Sequence, residues 1–155
     1  MLFAGASQFR RWATHMNASY HQRWLRTVII VGVVYFIVNI AFAAFAGWSA
    51  SNPMRVTWNR LGFLISAVAF AVHISYEHFR LGHSPRITAA HASAAVALGA
   101  FALAVAANVH GQWVSSSHPR LLVFALVAWP FLTAVPAFVV ALVAAAGLGL
   151  RRRST

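Results

Sequence analysis

Residues 27–48 read TVIIVGVVYFIVNIAFAAFAGW, a stretch with no Asp, Glu, Lys or Arg in it. An α-helix rises 1.5 Å per residue, so about 20 apolar residues cross the hydrocarbon core of a bilayer. Charge-free intervals of that length recur along the chain. They separate Arg26 from Arg55, Arg86 from Arg120, and Arg120 from Arg151. The interval from Arg60 to Glu77 is shorter and reaches spanning length only with Glu77 in the last turn of its helix. The spacing predicts four transmembrane helices, over about 27–48, 58–79, 85–110 and 120–150, in an all-α, polytopic up-down bundle. A cytoplasmic juxtamembrane segment, 1–26, precedes this single domain of 27–150, and a basic tail, 151–155, follows it.

Composition agrees. The chain of 155 residues is 61% hydrophobic and 8% charged, whereas soluble domains carry about 25% charged residues. Its net charge of +11 comes entirely from arginine. Those arginines sit at the ends of the apolar stretches, where they set orientation, so nucleic acid is excluded as a partner and the lipid bilayer takes its place. Arg10, Arg11, Arg23, Arg26, Arg80, Arg86, Arg151, Arg152 and Arg153 fall on one side and only Arg55, Arg60 and Arg120 on the other. Both termini and the second connection are therefore expected in the cytoplasm, for a multi-pass protein of a bacterial inner membrane. Trp48, Trp58 and Trp113 then occupy the outer interface. In the first segment Phe9, Trp12, Met16 and Tyr20 recur at helical spacing, the pattern of an amphipathic helix lying on an anionic leaflet. Pro130 and Pro136 should kink or tilt the last helix.

The inventory of reactive groups is narrow. There is no Cys, so thiolate nucleophiles, disulfides and Cys-ligated metal centres are excluded. One acid, Glu77, rules out paired-carboxylate chemistry within the chain. Eight His residues remain as the resource for proton or metal chemistry.

Polar groups inside a membrane need a partner, so they carry the functional signal. On the second helix Asn59, Ser66, His73, Glu77 and Arg80 follow one another at steps of seven, seven, four and three, one stripe that should face the bundle. With Tyr76 and His78, its cytoplasmic half is the densest ionisable cluster of the chain. His91 on the third helix lies at nearly the depth of Glu77, and the short second connection should hold the two helices side by side. Ala95, Gly99, Ala102 and Ala106 continue from His91 as a small-residue face that permits close approach. His73, Glu77 and His91 can thus converge, as a ligand set for a metal ion or, with His78 as the other axial choice, for haem b. The simpler arrangement is polar glue: a Glu77–Arg80 pair at the interface, and His73 bonded to Tyr35 or Asn39 of the first helix. His83, His110 and His118, at loops or helix ends, read as solvated.

The run Tyr35-Phe-Ile-Val38-Asn39, then Trp58-Asn-Arg-Leu61-Gly62, then His73, resembles the bacterial 2TM domain family over about residues 24–80. The resemblance implies a two-helix membrane module with a Tyr35–Asn39–His73 contact, and no reaction.

Three functions fit these residues. The first is a non-enzymatic accessory or scaffold subunit, needing no cofactor, that works as a homo-oligomer or with other membrane subunits. The second is a redox or metal protein with His-ligated haem b or a metal ion. The third is a proton or ion pathway along the second helix.

Overall fold

The computed structural model describes residues 3–113 and 119–151, and the side chains of residues 22, 24–111, 120, 121 and 123–150. The apolar face of Phe9, Trp12, Met16 and Tyr20, the Trp113 ring, His118 and the end of the basic tail lie outside the described residues and side chains. The protein is an all-α bundle of four helices: α1 (Phe3–Gly47), α2 (Asn52–Phe79), α3 (Pro85–Trp113) and α4 (Pro119–Arg151). Each contains a stretch long and apolar enough to cross a membrane: Trp24–Gly47, Asn52–Phe79, Pro85–Gly111 and Val123–Leu150.

Helix ends follow local chemistry. α2 begins at Asn52 rather than near Trp58, because Pro53 sits in its first turn, where a missing N–H costs nothing. α3 begins at Pro85, as expected of the Ser84-Pro85 pair. Ser84 caps it, its Oγ accepting from the Ile87 N–H at 3.5 Å and its carbonyl from the Thr88 N–H at 3.0 Å. α4 is helical through both Pro130 and Pro136. Between them the Thr133 hydroxyl lies 3.0 Å from the Trp129 carbonyl and 3.1 Å from that of Pro130, so its proton can satisfy either.

The packing puts small residues inside and large ones outside. Ala89, Ala92, Ala95, Ala141 and Ala145 are completely buried, while Phe63, Phe124, Phe131, Leu132 and Val143 are largely exposed. A surface of that kind has to face lipid or another apolar partner. α3 is the hub. Ala89 and Ala92 pack with Ala141 and Ala145 of α4 and with Ile74 of α2. On its other side α3 meets α1 where glycine backbones cross. A Cβ on Gly99 would lie 3.0 Å from Tyr35 Cβ and 3.1 Å from the Gly32 carbonyl, and one on Gly32 would lie 2.9 Å from Leu98 Cδ2. Ala95 and Gly99 therefore serve the α1 interface. The expectation that the short connection makes α2 and α3 close neighbours needs correcting: α1 and α4 take up the faces of α3, and α2 touches it only sparsely. α1 and α4 make no contact among the described residues, so around the bundle the order is α1, α2, α4, α3.

Candidate metal centre

Where α2 and α3 do meet, at the end carrying the Arg80–Ser84 connection, the interior is polar. Glu77, in the last turn of α2, is 1% exposed; it and Thr88 are the largest fully buried side chains among the described residues. An isolated carboxylate cannot persist there, and three imidazoles surround this one. His91 of α3 brings Nδ1 to 2.8 Å from Glu77 Oε2 and 3.0 Å from Oε1. His83, from the connection, brings Nδ1 to 2.9 Å from Oε2. His73, one turn before Glu77, places Nε2 3.5 Å from Oε1, an ion-pair distance at which no hydrogen bond forms.

The connection aims His83. Gly82 has φ +65°, a left-handed conformation that glycine adopts without strain. This reverses the chain, so that the His83 N–H donates to the Glu77 carbonyl at 3.4 Å while its ring meets the Glu77 carboxylate. The His83 and His91 rings then stand almost perpendicular, 5.2 Å apart. The Trp24 ring of α1 covers His91 at 5.4 Å.

Glu77, His83 and His91 each offer one ligand atom, and all three atoms lie within 4.8 Å of one another. With Zn–N and Zn–O bonds of about 2.0–2.1 Å, the ligand–ligand edge of a tetrahedral site is about 3.3 Å. Two of the three edges, at 2.8 and 2.9 Å, would open by about half an ångström to admit an ion, and the third, between the His83 and His91 nitrogens, lies within 4.8 Å. The chain thus carries a buried His/Glu cluster able to chelate a metal. An ionised carboxylate can only accept, so beside it both Nδ1 atoms carry the proton and donate; to hold a metal each Nδ1 would present its lone pair, with the ring proton on Nε2.

The residues marked by the sequence separate into groups. Glu77, His91 and His73 come together. His78 is buried on a different side of α2, its ring facing the last turns of α4 where a Cβ on Gly149 would sit 3.8 Å from Cε1. Arg80 is exposed and forms no ion pair with Glu77 among the described residues. Tyr76 is 52% exposed and lines a cavity beside the cluster. Ser66 accepts from Asn39 Nδ2 at 3.5 Å, and the same amide donates to the Tyr35 carbonyl at 2.8 Å. The Tyr35 hydroxyl is buried with no hydrogen bond. Asn59 is exposed, on the half of α2 that meets α1 through Gly62 on Phe42 and Trp58 on Phe45. The polar stripe therefore enters the bundle only from Ser66 onwards. His83 is the residue that sequence reasoning missed. The signal available was Gly82 beside it, a glycine placed to turn the chain back on α2.

In comparisons with known proteins, the chain matches no family model, no curated protein and no solved structure.

Proposed function

We propose that this is a small, multi-pass membrane protein that holds a divalent transition-metal ion through Glu77, His83 and His91. The observation that carries this reading is the convergence of three ligand atoms from three successive pieces of chain within 4.8 Å. Two imidazoles and one carboxylate, without thiolate, suit Zn²⁺, Fe²⁺ or Co²⁺ better than Ca²⁺ or Cu⁺. Three protein ligands leave a coordination position open, as in metal sites that bind or transform a guest rather than merely staple a fold. His73 stands behind Glu77 and would hold the carboxylate oxygen that the ion does not use. The geometry favours an ion over haem b, since Glu77 Oε1 occupies the gap between the His73 and His91 rings where a porphyrin would have to lie.

The decisive experiment is elemental analysis of protein purified in mild detergent without chelator, followed by Zn²⁺ or Co²⁺ titration. One ion per chain, lost in Glu77→Gln and in His91→Ala, is the expected result. Absence of stoichiometric metal from the folded wild-type protein in both measurements overturns the proposal and leaves the cluster as interhelical polar glue. A Soret band would favour haem instead.

The orientation that goes with this reading has both termini and the metal centre on the cytoplasmic side, supported by the arginine asymmetry. The accessory-subunit reading draws on another observation. α4 exposes large apolar side chains along most of its length and, among the described residues, leaves α1 untouched, a face suited to lipid, a second copy or a partner subunit.

A further inference from the structure

We infer that the open face of this centre accepts a carboxylate carried on a short apolar body, its head held between the bound ion and the Arg26 guanidinium. The inference rests on the metal reading above and adds the class of guest. A cavity of about 490 Å³ opens directly from Glu77, His83 and His91, within the size range of small-molecule sites. Trp24, Tyr76 and Leu81 give it apolar walls, and Arg26 stands at it as the one arginine among its lining residues.

Charge decides what enters. A divalent ion with Glu77 leaves one positive charge, and Arg26 adds a second. Glu77 is the only acid in the chain, so no further side chain can neutralise them. Arg26 is itself exposed, and a guest that brings a negative charge is favoured over a neutral one. A carboxylate offers one oxygen to the metal and the other to the guanidinium, whose N–H groups match it geometrically. The walls then favour a guest whose remainder is hydrocarbon, because each buried methylene adds to its affinity. A small soluble acid and a fatty acid from the bilayer share this head, and the length of the body tells them apart.

The test uses the full chain in detergent, loaded with Co²⁺, whose visible absorption reports its ligands. Acetate, hexanoate and hexanol are titrated in turn against wild-type protein and Arg26→Gln. The expected result is a spectral change with hexanoate at a concentration at least about tenfold below that needed for acetate, and none with hexanol. Arg26→Gln should bind Co²⁺ with an unchanged spectrum yet need about tenfold more hexanoate. Equal potency of acetate and hexanoate overturns the apolar body, a response to hexanol overturns the charged head, and an unaltered hexanoate titration in Arg26→Gln overturns the clamp. In each of those cases the Co²⁺ spectrum itself still stands for the metal site. If no Co²⁺ binds, the metal reading fails, and this inference with it.

Discussion

Glu77 and His91 hold each other in place across two helices that otherwise share little packing. Removing either leaves the other buried with part of its hydrogen bonding unmet. In metal-free protein, Glu77→Gln and His91→Ala should therefore couple, with an interaction energy of about 1–2 kcal/mol in a double-mutant cycle of detergent stability. Strict additivity would mean that the contact contributes nothing. His83 is less buried and sits in the connection, so His83→Ala, which also takes a donor from Glu77, should cost metal-free stability less than His91→Ala while abolishing tight metal binding. His73 acts through Glu77, and His73→Ala should weaken metal affinity by about 10–100-fold without changing the stoichiometry of one. An unaltered affinity would detach His73 from the centre. At this scale the sequence was legible where helical periodicity could be applied. Glu77 and His73 lie four apart on one helix, and the depth of His91 follows from counting turns. His83 was hidden because its direction depends on one dihedral angle, the positive φ at Gly82, and loops have no period to count. Arg80 shows the opposite failure. It falls on the periodic stripe but emerges at the helix end, where water or headgroups suit its charge better than Glu77 does.

Between elements, α1 and α3 approach closely enough at Gly32 and Gly99 to leave no room for a side chain. Gly99→Leu would drive a side chain into the α1 backbone and should cost about 1–3 kcal/mol. Gly147→Ala on α4 meets open space and should be neutral, or stabilising by a few tenths of a kcal/mol, because Ala favours a helix. Thermal unfolding in detergent separates the two. The small-residue face of α3 is evident from its alanines; its partner is not. Chain order suggests α2, whereas surface complementarity selects α1, whose Gly32 supplies the matching recess. Which helix fills a recess is a property of two surfaces, and one helix's own sequence shows only half of it.

For the molecule as a whole, four long apolar helices were readable from charge-free intervals alone, since the thickness of a bilayer fixes their length. Their order around the bundle was not, because hydropathy marks a helix as apolar enough to cross a bilayer without saying beside which neighbour. Orientation is open to direct test. Reporter fusions after Thr155 and within residues 80–84 should read cytoplasmic, and fusions at Ser51 should read external, following the arginine distribution. An external reading for the C-terminus would require an odd number of spans and would make Pro130 and Pro136 the place to look for the error.

All three proposed ligands lie between Glu77 and His91, fourteen residues apart at most. Closing so short a loop costs little chain entropy, and none of the ligands belongs to α4. During synthesis the site is therefore complete once the start of α3 has emerged, while the residues of α4 are still being added at the ribosome. An ion taken up at that moment would fasten the growing hairpin of α2 and α3 before its final partner helix arrives.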